Sequence, residues 1–121
     1  MIANEAVKIV KRFETLRTKK EPEEKKERCG YDIKSGNRLI EVKGMKSKEP
    51  HAVAVNVNIK KKLSMPNYYI YIVNKICNKQ PKMKILYPKD INDNKKGILK
   101  PASFKISKKA IDDFGKDMKL K

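Results

Sequence analysis

Apolar residues recur along this chain with two periods, and each period predicts a different kind of element. From Ile2 to Lys19 they fall at Ile2, Ala6, Ile9, Val10, Phe13 and Leu16, the spacing of one apolar stripe on an otherwise charged helix. Tyr31 to Lys34 and Arg38 to Lys43 read as two short strands separated by Gly36-Asn37, a dipeptide suited to a two-residue hairpin turn with positive φ. Ala52 to Val57 alternates with valine on one side and predicts a third strand, followed by a short helix or turn that ends near Pro66. Asn67 to Ile76, "NYYIYIVNKI", is almost uninterrupted apolar and β-prone sequence, as expected of a central strand covered on both faces. Lys82 to Tyr87 and Phe104 to Ile106 are further strands, and Ser107 caps a last helix whose buried stripe is Ala110, Ile111, Phe114 and Met118, weakened by Gly115. Lys20 to Arg28 and residues 88–103 carry the polar, proline-containing composition of solvated connections.

The resulting order is helix, hairpin, strand, short helix, strand, strand, helix. It predicts an α/β (α+β) fold with one mixed central sheet flanked by helices. At 121 residues the chain is long enough for a single domain, 1–121, and too short for two full cores.

Charge narrows the choice of partner. Lys and Arg number 31 against 14 Asp and Glu, a formal charge of +17, which favours a polyanion and above all nucleic acid over a neutral ligand. A lysine-rich proteome that places Lys at every exposed position accounts for the same number without a ligand. Only four of those cations are Arg, so charge by itself does not indicate readout of bases. No apolar run is long enough to span a bilayer, and Glu5 and Lys8 interrupt any signal-peptide pattern at the start, which leads to the expectation of a cytoplasmic protein without membrane contact. Cys29, Cys77 and the single histidine, His51, lack the spacing of a zinc set; the cysteines read as free thiols.

The chemistry concentrates in "GYDIKSGNRLIEVKG", Gly30 to Gly44. If residues 35 and 38 close the hairpin, Asp32 falls opposite Glu41, with Cβ atoms about 4.5–5.5 Å apart. Lys43 lies two residues on and shares the face of Glu41, while Ile40 and Val42 point the other way. Two facing carboxylates suit a divalent cation that keeps several waters beside a phosphate, and a lysine there can orient a water or neutralise a transition state. An acid two residues before Lys also occurs at Glu23/Lys25, Glu24/Lys26, Asp32/Lys34, Asp93/Lys95 and Asp117/Lys119, and roughly three such pairs are expected by chance at this lysine content. Only Glu41/Lys43 sits in an apolar strand pattern after a second acid placed opposite by its own turn. The plain alternative is a cross-strand ion-pair ladder on an exposed sheet face.

"GYDI", a short turn and "RLIEVKG" resemble the PD-(D/E)xK nuclease superfamily, most closely the nuclease-like domain of unknown function at the C-terminus of the plant protein No Vein and in many prokaryotic proteins. The resemblance extends to an early helix with Glu near its start, matched by Glu5 in "NEAVKIV", and to a Tyr-rich strand after the ExK strand, matched by "NYYIYIV". It implies a restriction-endonuclease-like fold and a Mg²⁺- or Mn²⁺-dependent DNA endonuclease hydrolysing phosphodiester bonds. It further implies Asp32, Glu41 and Val42 at the metal, Lys43 as the catalytic lysine, and Glu5 as an extra ligand or water holder. Tyr31 stands where the superfamily motif has proline, as is usual among sequences with "GYD". Glu5 also reads simply as a first-turn acid that favours the helix dipole. Lys34, Arg38, Lys60 and Lys61 are the basic positions assigned to nucleic acid, with a solvated face as the alternative for Lys60 and Lys61. Tyr68, Tyr69 and Tyr71 read first as packing residues and second as platforms for bases. A non-catalytic nucleic-acid-binding module, or an accessory subunit of the same fold, is the rival to the enzyme, and a homodimer is one way for so small a domain to hold a duplex.

Overall fold

A computed structural model describes residues 2–25, 31–54, 66–76, 80–92, 99–100 and 105–120. Helix α1 (Ile2–Thr18) is followed by β1 (Glu23–Glu24), β2 (Ile33–Ser35), β3 (Arg38–Gly44), β4 (Val53–Ala54), β5 (Tyr68–Asn74) and β6 (Lys82–Leu86). The chain continues with a short helix α2 (Pro88–Ile91), β7 (Leu99–Lys100), β8 (Lys105–Ile106), helix α3 (Lys108–Phe114) and β9 (Lys116–Met118). Six strands form one sheet in the order β1-β2-β3-β5-β6-β9, and β4-β8-β7 form a small second sheet. Among the described residues only β3 and β5 pair in parallel, so the large sheet is mixed and the fold is α+β.

The sequence pattern explains why β5 sits at the centre. Its odd residues Tyr71 and Val73 join Ile33, Ile40, Met83 and Ile85 against Ala6 and Val10 of α1. Its even residues Tyr68, Ile70 and Ile72 join Met45 and Leu86 against Ile91, Ile106, Ala110 and Ile111. A strand buried on both faces has no polar side to show, which is what the apolar run from Tyr68 to Val73 encodes.

The hairpin forms as its turn predicts. Ser35 pairs with Arg38 and Ile33 with Ile40, and Gly36 has φ +57°, the left-handed conformation that a two-residue turn of type II′ requires at its first central position. Several local expectations are corrected. Residues 23–24 pair with β2 as an edge strand instead of remaining a free connection. Tyr87-Pro88 starts one helical turn inside the segment expected to be loop, because proline with its fixed φ suits the first turn of a helix. Helix α3 stops at Gly115, whose backbone is extended, so Met118 belongs to edge strand β9 and pairs with Met83. Leu16, expected in the stripe of α1, is 58% exposed. Cys29, Cys77, Asn94 to Gly97, Phe104 and the helix or turn expected after residue 57 lie outside the described residues. Among the described residues no helix is long and apolar enough to cross a membrane.

Candidate active site

The period of β3 divides its side chains between two environments. Ile40 and Val42 pack toward α1, while Leu39 belongs to the opposite core, and Glu41 and Lys43 share the face of Leu39. The paired residues of the hairpin end at Ile33 and Ile40, and Asp32, one residue further, brings its carboxyl beside that of Glu41. Asp32 lies one residue before β2; its N–H donates to the Ile40 carbonyl at 2.8 Å, and its carboxylate Oδ2 accepts the Val42 N–H at 2.8 Å. The Asp32 side chain thereby takes a ladder donor beyond the end of β2, which fixes the carboxylate against β3.

Glu41 is 7% exposed, and the Lys43 ammonium stands 3.2 Å from its Oε2 with the lysine side chain 29% exposed. Burial is the main reason that the Glu41 carboxyl is pushed up to about 7; the neighbouring Asp32 charge adds to the rise and Lys43 offsets part of it. Tyr68 lies on the adjacent strand, opposite Leu39 and on the same face. It is wholly buried, and its hydroxyl is raised by that burial and by the charges of Glu41 and Asp32. The region therefore sets two adjacent carboxyl groups, one of them nearly buried, beside a single partly exposed ammonium.

Two carboxylates held against each other in this way suit a divalent cation. Mg²⁺ commonly takes only one or two protein carboxylates and completes its shell with water and phosphate oxygen, so Asp32 and Glu41 fit such an ion. Among the described residues no group of three or more His, Cys, Asp or Glu side chains converges. Glu5 does not join the pair: it lies exposed on α1, which packs against the other face of the sheet, and its carboxylate faces Lys8 at 3.6 Å. The Val42 side chain likewise points toward α1, which leaves only its backbone on offer to a ligand. Of the basic positions, Lys34 is exposed on β2, Arg38 is half-buried on the α1 face, and Lys60 and Lys61 lie outside the described residues.

A second polar cluster on the α1 face is absent from the sequence reading. Glu14 is fully buried; Arg17 Nε donates to both of its carboxylate oxygens at 3.0 Å, and the Tyr71 hydroxyl donates to its Oε2 at 2.7 Å. Burial alone would raise the Glu14 carboxyl, but the hydrogen bonds from Arg17 and Tyr71 prevail and hold it below its ordinary value. The signal was available in the spacing: Glu14 is four residues after Val10 and eight after Ala6, on the same stripe, with Arg17 three residues further to neutralise it.

The family model described as "Protein NO VEIN, C-terminal" matches residues 2–86, a span that includes α1, the hairpin with Asp32, Glu41 and Lys43, and strands β5 and β6. The chain belongs to this family, that of the C-terminal region of the protein No Vein. No curated protein and no solved structure matches the chain.

Proposed function

We propose that the chain is a metal-dependent nuclease of the PD-(D/E)xK type, on a restriction-endonuclease-like fold, that hydrolyses phosphodiester bonds in DNA. The observation that carries this reading is that the Asp32 and Glu41 carboxyls meet beside the Lys43 ammonium, with Glu41 almost buried and Lys43 partly exposed. A Mg²⁺ or Mn²⁺ ion at the carboxylates would supply an acidified water and positive charge for the transition state. Asp32, fixed by the Val42 N–H, and Glu41, fixed by burial, hold that position rigid. Lys43 stands where an ammonium can orient the attacking water or neutralise charge on the phosphate as it grows. The charge of +17 draws the polyanionic substrate to the surface.

Labelled single-stranded, duplex and flap DNA, incubated with Mg²⁺ or Mn²⁺, tests the reading. The wild type should cleave at least one form, and Lys43→Ala should cut by orders of magnitude more slowly with DNA affinity nearly unchanged, since one charge among 31 contributes little to the whole field. Equal cleavage by Lys43→Ala overturns the mechanism. Tight binding by the wild type without cleavage of any form, with either metal, favours a non-catalytic nucleic-acid-binding module on the same fold, a reading that draws on the charge alone.

A further inference from the structure

Arg38 opens β3 on the face opposite to Glu41 and is held from three sides. Its guanidinium carbon stands 4.3 Å from the centroid of the Tyr69 ring and 5.7 Å from that of Tyr87. The two rings meet edge to face at 5.4 Å. Nη1 donates to the Tyr71 hydroxyl at 2.7 Å, and that hydroxyl in turn donates to Glu14. A planar fork fixed in this way has already lost the rotamer freedom that an arginine normally surrenders on binding.

Its charge is not matched. Both oxygens of the Glu14 carboxylate are engaged by Arg17, so the cluster sets two guanidinium groups against one carboxylate. Among the described residues Arg38 makes no ion pair, whereas Arg17 pairs with Glu14 and Lys43 with Glu41. Arg38, Tyr69 and Tyr87 are each half-buried, so the fork is partly desolvated yet reachable. A rigid, partly desolvated cation between two aromatic rings calls for an anion of matching planar spacing, and two oxygens of a phosphate meet an arginine fork through parallel hydrogen bonds. A lone carboxylate has the same reach but gains much less from a surrounding charge of +17 than a phosphate ester on a polyanion does.

We propose that Arg38, framed by Tyr69 and Tyr87, is a binding site for the phosphate group of a nucleotide or nucleic-acid strand, separate from the Asp32–Glu41–Lys43 centre on the other face of the sheet. It extends the nucleic-acid part of the proposed function, naming a contact that holds a phosphate other than the one to be cleaved.

Two measurements test the site. Arginine side-chain Nε–Hε resonances of the wild type are followed by NMR while inorganic phosphate, dAMP and a twelve-nucleotide single strand are added in turn. The Arg38 signal should move with dAMP or with the strand; movement with dAMP identifies a terminal phosphate ester as sufficient, and movement with the strand alone identifies a backbone phosphate. Arg38→Lys keeps the net charge and removes the fork, so affinity for the strand should fall about tenfold by fluorescence anisotropy with the salt dependence unchanged. An Arg38 signal that none of the three ligands moves overturns the site, as does wild-type affinity in a folded Arg38→Lys protein. The outcome separates cleanly from that of the nuclease reading. Metal-dependent cleavage with a silent Arg38 refutes this site alone, while a responsive Arg38 without cleavage refutes the enzyme alone.

Discussion

Replacing Glu41 by Gln should make the protein more stable at pH 8 and leave that gain absent at acid pH. Burial and the facing Asp32 push the Glu41 carboxyl from its ordinary 4.5 to about 7, so the folded chain holds this proton more tightly than the unfolded chain does. The stabilisation that comes from holding it is fully present below about pH 4.5, declines as the pH rises, and is lost once the pH passes about 7. At 1.36 kcal/mol per pH unit, the interval from 4.5 to about 7 corresponds to roughly 3 kcal/mol. Gln is never charged and does not suffer this loss. The difference in unfolding free energy between Glu41→Gln and wild type should therefore shift toward the variant by up to about 3 kcal/mol between pH 4.5 and 8. Urea denaturation of both proteins in EDTA, at matched pH values, measures it, and the carboxyls remote from the Asp32–Glu41 pair cancel in the comparison. Added Mn²⁺ should restore the wild type at pH 8 and leave the variant unaffected, because a cation stabilises the ionised pair. A difference that stays flat from pH 4.5 to 8 would refute the burial argument.

Two further predictions concern the frame around the site. Glu14→Ala should cost about 1–3 kcal/mol in urea denaturation, because it leaves the buried Tyr71 hydroxyl without its acceptor, while the exposed Arg17 guanidinium turns to water; since the Glu14 carboxyl lies below its ordinary value, this contribution should be present at neutral pH and shrink as the pH falls through the acid range. Gly115→Ala should lower the melting temperature, since an added Cβ would come within 2.5 Å of the Ile111 carbonyl oxygen, a backbone atom that can yield only by distorting the end of α3, at roughly 1–3 kcal/mol. An unchanged melting temperature would show that α3 ends loosely.

The central elements were legible in the sequence because their signals are local or strictly periodic. The stripe of α1, the Gly36-Asn37 turn and the apolar run of β5 each specify an element within one short stretch of chain, and the turn alone sets the register that pairs Ser35 with Arg38 and Ile33 with Ile40 and so brings Asp32 up to Glu41. What escaped was decided by distant contacts. The two-residue edge strand at Glu23–Glu24 and the three-residue strand at Lys116–Met118 form only because a neighbouring strand offers a ladder, and neither has a pattern of its own. Glu14 escaped for another reason. A carboxylate on an apolar stripe looks like an error in the pattern until Arg17, Tyr71 and Arg38 are seen to gather around it.

The same comparison bears on the plainest alternative for Asp32, Glu41 and Lys43, a ladder of ion pairs on a solvated sheet face. Such a ladder would leave its acids in water, with little reason for either to depart from an ordinary carboxyl. Glu41 is instead nearly buried on an interior strand, opposite Ile70 and two ladder positions from the wholly buried Tyr68. Two of the buried carboxylates, Glu14 and Glu41, differ in how their charge is met. Glu14 receives a bidentate guanidinium and a hydroxyl, and its carboxyl falls below the ordinary value; Glu41 receives one ammonium and a second carboxylate, and its carboxyl rises. A carboxylate kept for stability alone is served by the first arrangement. The second leaves a negative pair short of positive charge beside the open end of a lysine, a strained arrangement that supports a role in holding a cation.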